Sequence, residues 1–413
     1  MTTQTERIDL ADPEFWRRPP GERLEHFRWM RAEAPISWHG QCDAWKGRGF
    51  WVAVRYEDVR TVSRDSATFC SGKGVVMLEE DPGEEAFGVQ SFLIMDNPEH
   101  ARLRGIVQKA FSTKQLALIE AQVKAEAKMV VSELDEHETG NFVDRVSKRL
   151  PLMTICRMLG VPESDRDEML AHVDTMVSFQ DPEFLQGRDM MEVAKEAMIG
   201  VGMFAFQMAQ HRREHPADDL LGALVEAEHE GQRLTDAEIA QFVLLLSVAG
   251  NDTTRNTTSH TARALCDFPD QRQLLLGDLD GMLPVAIEEF LRFASPVMHF
   301  KRTATRDTVL GEQPIKEGDE VVMIYSSANR DERAFDDPDR FDIARSPNRH
   351  VAFGGGGAHF CMGAGLARLQ LRAIFTELLT AFPDLQVGEP RYILGNFMNA
   401  IRELPMDTGR RAA

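Results

Sequence analysis

The segment with the clearest chemical potential surrounds Cys361, in the run Phe353-Gly-Gly-Gly-Gly-Ala-His-Phe-Cys361-Met-Gly363. Four consecutive glycines are unsuited to a helix or strand interior, because glycine loses more backbone freedom on folding than any other residue. They suit a loop that adopts positive φ angles or approaches a large flat ligand closely. Cys361 follows at the predicted start of a helix, where the partial positive charge stabilises a thiolate. Such a thiolate is a soft, electron-rich ligand suited to iron.

Three other interpretations of this glycine-rich loop stay open. It could hold a phosphate, although no Lys or Ser/Thr follows as a P-loop requires. The cysteine could be a catalytic thiol, although no adjacent base is identifiable. The loop could be a flexible tip, which its apolar neighbours disfavour: Val351, Phe353, Phe360 and Met362.

A second unusual feature is a polar run inside a long apolar segment. Residues Asp236 to Cys266 have the 3.6-residue apolar spacing of a helix and are apolar on all sides around Phe242 to Val248. A helix of this kind is expected to cross the interior of a large protein. The sequence then becomes abruptly polar at Ala249-Gly-Asn-Asp-Thr-Thr254. Gly250 would allow the helix to widen there, and a packing kink is the alternative explanation.

The elements that must position these residues are mostly helical. Helices are predicted at Gly21–Glu33, His100–Phe111, Lys114–Leu134, Glu163–Phe179, Met190–His211, Asp236–Cys266 and from about Cys361 to Phe382. Strands are predicted at Ile36–His39 and Phe50–Tyr56 and in short pieces between Val297 and Ile324. The predicted fold class is mainly α with a minor antiparallel β-sheet. No linker or composition shift divides the chain, so we expect a single domain over residues 1–413.

Composition excludes several functional classes. The 413 residues carry 47 basic and 66 acidic side chains and a formal charge of −19, and no basic run suggests a nucleic-acid footprint. The N-terminus has no apolar signal core, and the apolar stretch Phe242–Gly250 is too short to span a bilayer. We therefore expect a cytoplasmic protein without a membrane span. The five cysteines lie far apart without CxxC spacing, which disfavours a disulfide scaffold or a structural zinc site.

With these motifs in view, the chain resembles the cytochrome P450 family. The cysteine loop is similar to the haem-binding signature, and Ala249–Thr254 to the oxygen-activation segment of the long central helix. Glu289-Phe-Leu-Arg292 resembles the ExxR helix, and Pro338-Asp-Arg-Phe341 with Arg345 resembles the segment completing a Glu-Arg-Arg triad. An ExxR pattern alone is weak evidence, whereas four motifs in the family's order are strong. The resemblance runs from about residue 20 to the end.

One departure from the family pattern lies in the cysteine loop. Phe353 stands eight residues before Cys361, where the family pattern has seven. This longer loop, with Ser295-Pro-Val and Ser327-Ala-Asn-Arg330, is most similar to bacterial enzymes acting on sterols, methyl-branched lipids and terpenes. The departure puts in doubt how Phe353 shields the sulfur, and it leaves the ligand itself unaffected.

The resemblance implies a cofactor and its ligands. Haem b would lie buried between the long central helix and the cysteine-loop helix, with Cys361 as the axial iron ligand and O2 as co-substrate. Phe353, Ala249 and Gly250 would also contact the cofactor. His100 and Arg104, which share a helix face at i,i+4, together with Arg302 and His359, would bind the two propionates.

Resemblance and chemistry together assign roles to further residues. The Thr253 hydroxyl would donate a hydrogen bond near the oxygen and anchor water, and Asp252 would relay protons from solvent. Thr254 is expected to be structural. Glu289, Arg292 and Arg345 would form a buried ion network that organises the side of the haem carrying the thiolate. Loss of one partner would cost on the order of 3–5 kcal/mol.

The substrate pocket should be apolar. Ala249 lies one turn before Thr253 and would face the iron. The other pocket candidates, each of which could equally be plain core, are Phe92, Leu93, Ile94, Met95, Val297, Met298, Phe397 and Met398.

The expected activity is oxygen insertion into a C–H bond of an apolar small molecule. No flavin or dinucleotide motif is present, so electrons would come from a ferredoxin and its reductase, with Lys109, Arg368 and Arg372 as candidate contacts. A peroxide-dependent peroxygenase and a haem-binding sensor or carrier without turnover are the alternatives. The acid–alcohol pair Asp252–Thr253 favours oxygen activation over both.

Overall fold

The structure is a computed structural model that describes residues 8–40, 49–77, 91–108, 113–178, 182–217, 219–229 and 231–412. It is mainly helical with small sheets, as predicted. The helices are α1 Pro13–Arg17, α2 Pro20–Glu33, α3 Tyr56–Arg64, α4 Glu99–Val107, α5 Thr113–Ser132, α6 Arg149–Met158, α7 Arg166–Ser178, α8 Pro182–Leu185, α9 Met190–Glu214, α10 Leu220–Glu226, α11 Asp236–Asp267, α12 Pro269–Gly277, α13 Leu279–Ala294, α14 Tyr325–Ala328 and α15 Ala364–Ala381. Short 3₁₀ turns occupy Phe92–Ile94 and Glu163–Asp165, and a π-helical turn occupies Val143–Ser147.

The strands are short. They are β1 Ile36–His39, β2 Phe50–Ala53, β3 Phe69–Cys70, β4 Thr139–Asn141, β5 Glu228–His229, β6 Gln232–Arg233, β7 His299–Ala304, β8 Thr308–Leu310, β9 Gln313–Ile315, β10 Glu320–Ile324, β11 Gln386–Val387, β12 Arg391–Tyr392, β13 Ile401–Glu403 and β14 Pro405–Asp407. The largest sheet has the order β1-β2-β10-β7-β3.

Three of the four strand pairs in this largest sheet are antiparallel, as predicted, and one pair is parallel, which makes the sheet mixed. β2 and β10 run parallel, with Val322 opposite Val52, while the β1–β2, β10–β7 and β7–β3 pairs are antiparallel. A parallel pair needs a long crossover, and here more than 260 residues separate the paired positions. Pairing across such a distance is invisible to local sequence patterns.

The long central helix α11 is the core of the helical part. It begins with a capping box, in which Thr235 accepts from the Glu238 N–H and the Glu238 carboxylate accepts from the Thr235 N–H. It ends at Asp267 with Phe268 as the C-cap residue, and Pro269 then opens α12. α11 packs against α6, α9, α13 and α15. Its predicted bounds, Asp236–Cys266, are confirmed to within one residue.

Two segments differ from the sequence prediction for identifiable reasons. The strand predicted to reach Tyr56 ends at Ala53, and Tyr56 begins α3, where its N–H donates to the Asp331 carboxylate at 2.8 Å. The helix predicted from Glu163 starts with a 3₁₀ turn that follows Pro162. Both changes depend on contacts or backbone restrictions outside the apolar periodicity.

Within the described residues, no helix is both long and apolar enough to cross a membrane. Cys70, Cys156, Cys266 and Cys361 are free thiols. Cys42 lies outside the described residues.

Candidate active site

A large cavity lies between α11 and the N-terminal end of α15. Its empty volume, including its open mouth, is about 1440 Å³. Cys361 and its loop form one side, and the middle of α11 forms another. Apolar side chains dominate the remaining wall, which includes Phe92, Leu93, Phe242, Leu245, Leu246, Leu291, Val297 and Phe300.

Cys361 faces this cavity just before α15 begins at Ala364. Its N–H donates to the Phe353 carbonyl at 3.0 Å, which fixes the residue at the end of the loop. The Cys361 side chain is surrounded by protein but is solvent-accessible, because its accessible surface faces the open space of the cavity. Burial raises the pKa of the thiol, while the Gly363 N–H and the charges of Arg104 and Arg368 act in the opposite direction. A bound metal cation would complete the stabilisation of a thiolate.

The extra glycine of the cysteine loop is explained by packing against α3. Gly354, Gly356 and Gly357 have φ angles of 93°, 101° and 84°, which side-chain-bearing residues rarely adopt. Gly355 has no such angle, but a Cβ there would lie 2.8 Å from the Ser63 Cβ. Ser63 in turn donates to the Gly356 carbonyl at 2.9 Å. All four glycines are therefore required, three by conformation and one by close approach.

Phe353 packs within this same loop. Its ring lies 6.3 Å from the Phe360 ring, and the Arg368 guanidinium stacks on it at 4.6 Å. It also lines the cavity beside Cys361. The longer loop thus keeps an aromatic ring close to the sulfur.

Four cationic or imidazole side chains gather at the site: His100 and Arg104 from α4, Arg302 from β7 and His359 from the cysteine loop. The His100 and His359 rings are 4.0 Å apart, and the pKa of both is lowered by burial and by nearby arginine charges, that of His359 to about 3. Arg104 donates to the Phe360 carbonyl at 2.6 Å and Arg302 to the Lys301 carbonyl at 2.7 Å. Neither arginine forms an ion pair with any described carboxylate.

This cluster fits an anionic ligand. The His100 Nε2 atom is buried and has no hydrogen-bond partner among the described residues. Burial lowers the pKa of Arg104 and of Arg302, and the charges of nearby acidic groups, such as Asp96 beside Arg302, only partly offset this effect. A cysteine sulfur facing the cavity and cations beside it match an iron porphyrin with two carboxylates. The residues present therefore fit a haem.

The middle of α11 turns two small side chains toward the cavity. Ala249 is exposed and Thr253 half-buried, although most of their neighbours on the helix are buried. They lie four residues apart on one face, and Thr253 donates to the Ala249 carbonyl at 2.8 Å. The helix stays α-helical here, so the widening expected at Gly250 is not observed. Gly250 instead admits Ile155, whose Cδ1 would lie 2.8 Å from a Cβ at that position.

Asp252 lies on α11 outside the described cavity wall. It is 2% exposed, and neither carboxylate oxygen has a hydrogen-bond partner among the described residues. The nearest cation is the Arg255 Nη1 at 3.6 Å, which lies 3.3 Å from an Asp174 oxygen. Burial raises the pKa of Asp252 to about 7, against the opposing charge of Arg255.

Glu289, Arg292 and Arg345 come together in the protein interior. Arg292 donates to both Glu289 oxygens at 2.7 Å, and Arg345 donates to one at 3.2 Å. The Asp342 N–H and the Asn348 side-chain amide donate to the same carboxylate. These two additional donors were not foreseen, because neither belongs to a recognisable motif.

The cavity wall includes some of the predicted pocket residues and leaves out others. Ala249, Phe92, Leu93 and Val297 line it, whereas Ile94, Met95, Met298, Phe397 and Met398 are absent from its described lining. Met298 follows Val297 in extended chain, so its side chain points the other way, into a smaller cavity. Phe397 packs on His299 and Phe300, and Met398 pairs by backbone with Val297.

Three apolar wall residues on α11 were missed from sequence. Phe242, Leu245 and Leu246 lie three to seven residues before Ala249 and share its face of the helix. Extending the i,i+3 and i,i+4 series backwards from Ala249 would have found them.

The residues predicted to contact a redox partner differ in whether their charge is free to do so. Arg368 donates to both Glu288 oxygens at 2.6 and 2.8 Å, so its charge is already paired. Arg372 is exposed on α15. Lys109 lies outside the described residues.

Comparison with known proteins agrees with this geometry. Residues 44–389 match the family model for cytochrome P450. A methyl-branched lipid omega-hydroxylase of Mycobacterium bovis is 40% identical over 408 residues, covering 97% of this chain and 94% of that protein. A steroid C26-monooxygenase of Rhodococcus jostii is 38% identical over 413 residues, covering 97% of this chain and 85% of that protein.

A solved structure is also similar along nearly the whole chain. The Mycobacterium marinum cytochrome P450 CYP268A2, solved in complex with pseudoionone, superposes with a TM-score of 0.92 and 46% sequence identity. The match covers 98% of this chain and all of that one. Taken with the cysteine and the cations that line the cavity, these matches establish that the chain belongs to the cytochrome P450 family of haem-dependent, O2-using monooxygenases.

Proposed function

We propose that this monooxygenase hydroxylates an apolar lipid, a sterol, methyl-branched lipid, fatty acid or terpene, using haem b and electrons from a ferredoxin and its reductase. The observation that carries the proposal is the apolar wall of the cavity that holds Cys361. Phe242, Leu246 and Val297 offer no charged or hydrogen-bonding side chain to a substrate. A ligand there gains free energy from buried apolar area, about 25 cal/mol per Å².

The relatives narrow the substrate class. Two of them are a methyl-branched lipid omega-hydroxylase and a steroid C26-monooxygenase, and a similar structure holds pseudoionone. By analogy, a branched alkyl end of the substrate would lie beside Ala249. The small Ala249 side chain leaves room for such a group above Cys361.

The bound haem would supply the reductive activation of O2 and the oxygen insertion, with Cys361 as its thiolate ligand. His100, Arg104, Arg302 and His359 would hold its propionates. His100 would then gain the hydrogen-bond partner that its buried Nε2 atom otherwise lacks. Glu289, Arg292 and Arg345 would keep the segment before the cysteine loop in place.

Thr253 and Asp252 would deliver protons to the site of oxygen activation. The Thr253 hydroxyl faces the cavity and, by turning from the Ala249 carbonyl, can donate a hydrogen bond into it. Asp252 has a pKa raised to about 7 by burial, which suits a group that gains and loses protons near neutral pH. Because its carboxylate points toward Arg255, proton delivery requires a rotamer change or an intervening water.

The route from solvent would lead from Asp174 to Asp252 past Arg255, whose guanidinium holds the two carboxylates close together but does not itself carry the proton. Arg255 lies between the two carboxylates, at 3.6 Å from Asp252 and 3.3 Å from Asp174. The Asp174 side chain is 29% exposed, and the Lys148 ammonium lies 3.9 Å from it. Asp174 therefore connects the buried helix to the surface.

A ferredoxin would dock near the cysteine loop, the shortest path for electrons to the iron. Arg372 offers an exposed positive charge there, whereas Arg368 is neutralised by Glu288. The cytoplasmic location and the single-domain organisation stay predictions.

The proposal is tested by titrating the haem-loaded protein with a sterol, a methyl-branched fatty acid and a terpene while recording its spin state. We expect at least one class to displace iron-bound water and shift the spectrum. Product should then form from NADH only when ferredoxin and reductase are present. Product formation with peroxide at an equal rate, unaffected by Thr253→Ala, would favour the peroxygenase instead. No spectral response and no product with any class would overturn the proposal.

A further inference from the structure

A second, smaller cavity lies on the far side of the segment Ser295–Met298 from the active site. Its volume is about 40 Å³, and its wall combines α2, the end of α13 and the short helix α14. A single water requires on the order of 10–15 Å³ by this measure, so the cavity has room for about three waters or one small ion. Arg23, Arg330, Ser326, Met298 and Asn399 are among the lining residues.

Arg23 is the most unusual member of this wall. It is 7% exposed, and its Nε atom has no hydrogen-bond partner among the described residues. Its Nη1 atom contacts only a weak acceptor, the Met298 sulfur, at 3.2 Å. No described carboxylate forms an ion pair with it. A buried guanidinium without a counter-charge is costly, and burial accordingly lowers the pKa of Arg23.

Nearby arginines add to the excess of positive charge. Arg330 is 8% exposed, and it shares the single carboxylate of Asp339 with Arg28. Burial and the charge of Arg292 lower the pKa of Arg330 to about 10. The pKa of the neighbouring His260 falls to about 4, chiefly through burial and also through the charges of Arg330 and Arg23.

Two neutral polar side chains in the wall, those of Ser326 and Asn399, also lack partners within the described chain for a buried atom. The Ser326 Oγ and Asn399 Oδ1 atoms are buried and have no partner among the described residues. The Asn399 amide nitrogen is held by the Ala294 carbonyl at 3.0 Å, which fixes its orientation. Waters could satisfy the serine and the asparagine, but they would leave the charge of Arg23 uncompensated.

We propose that this cavity is a binding site for one small monovalent anion, of the size of chloride or formate, held by Arg23 and Arg330. The Ser326 hydroxyl donates to the anion as a third ligand, and a water occupies the space beside Asn399. The small volume favours a small anion over a larger one. This site is separate from the haem-propionate cluster and independent of the substrate proposed above.

The test compares thermal unfolding of the haem-loaded protein in chloride, formate and gluconate at constant ionic strength. We expect the two small anions to raise the Tm by about 2 °C at ten times their dissociation constant, and gluconate to have no effect. Arg23→Gln should weaken the anion response at least about tenfold. Arg18→Gln, at an exposed arginine nearby, should respond like the wild type.

A direct measurement covers the case in which Arg23→Gln fails to fold. The chloride-35 NMR line of a chloride solution should broaden when wild-type protein is added, and formate should reverse the broadening. The absorption spectrum of the haem is recorded in parallel, so that anions binding the iron are identified separately. Equal responses to chloride and gluconate, or broadening that formate does not reverse, would show that the cavity holds water only and overturn the proposal.

Discussion

Two buried carboxylates of this P450 have opposite surroundings. Glu289 is fully buried and accepts hydrogen bonds from two arginines, one backbone N–H and one asparagine amide. Asp252 is equally inaccessible, yet neither of its oxygens has a hydrogen-bond partner among the described residues. A buried carboxylate that accepts hydrogen bonds from several donors has a structural role, because its removal leaves buried positive charges without a counter-charge. A buried carboxylate without hydrogen-bond donors is unfavourable in its charged form, and residues with such shifted pKa values cluster at functional sites.

The largest expected effect is on the saturated carboxylate. Glu289→Gln keeps the shape of the side chain but leaves Arg292 and Arg345 without their counter-charge. We expect a loss of about 3–5 kcal/mol in the free energy of unfolding and poor retention of haem, measured by denaturant unfolding and by the haem content after purification. Glu25→Gln, at an exposed position on α2, is the control. A stable, haem-loaded Glu289→Gln protein would mean that the network is dispensable.

The unsatisfied carboxylate should matter for turnover instead. Asp252→Asn preserves size and removes the titrating group, so product formation should fall about 100-fold while haem content stays normal. Substrate affinity, measured by spin-state titration, should change little because Asp252 lies outside the cavity wall. Steady-state turnover with saturating redox partners is the measurement. Unchanged turnover would remove Asp252 from the proton path.

Asp252 should also make the stability of the protein depend on pH. The pKa of Asp252 is about 7 in the folded protein and 3.8 in the unfolded chain, so between these values the folded state binds the extra proton. Stability should therefore fall as pH rises from about 4 to 7. The contribution is at most about 4 kcal/mol, since one pKa unit corresponds to about 1.36 kcal/mol. Asp252→Asn should lack this decline, which denaturant unfolding at pH 5 and pH 8 will measure. Parallel pH profiles for the two proteins would contradict it.

The smallest effect is expected at Glu288, the neighbour of Glu289 in sequence. Burial acts to raise its pKa, but hydrogen bonds from Arg368 and His350 and their charges outweigh this and lower the pKa to about 2. Its stabilising contribution is thus present above pH 4.5 and lost as pH falls toward 2. Because the side chain is 26% exposed, we expect only about 1–2 kcal/mol. Glu288→Gln should be less stable than wild type at pH 6 and equal to it near pH 2, measured by thermal unfolding. A constant difference at both pH values would assign the effect to packing.

The sequence predicted the fold class and the helices near the site because these depend on local patterns. The apolar period defined α11, and the glycine run marked the cysteine loop. The parallel β2–β10 pair and the packing of Gly355 on Ser63 join residues more than 260 positions apart, and no local pattern encodes such pairs. The lack of hydrogen-bond partners for the Asp252 carboxylate among the described residues could not be predicted from the sequence either, since it depends on which side chains pack around it in the folded protein.

The direction of side chains also limited what could be predicted about the site from the sequence. Val297 and Met298 are adjacent and equally apolar in sequence, but one lines the active-site cavity and the other lies beside Arg23. Alternation along extended chain predicts that they diverge, without saying which of them faces the cavity. For α11 the helical period is enough to predict which side chains face the cavity. Counting back from Ala249 in steps of three and four residues leads to Phe242, which also lines it.

The central claim is that the Cys361 sulfur is the iron ligand, and it is tested most directly by the absorption spectrum of the reduced carbon monoxide complex. Wild-type protein should give the thiolate-type spectrum. Cys361→Ser should lose it, while Cys266→Ser, at a half-buried cysteine far from the cavity wall, should keep it. A Cys361→Ser protein that incorporates haem and gives the wild-type spectrum would contradict the account.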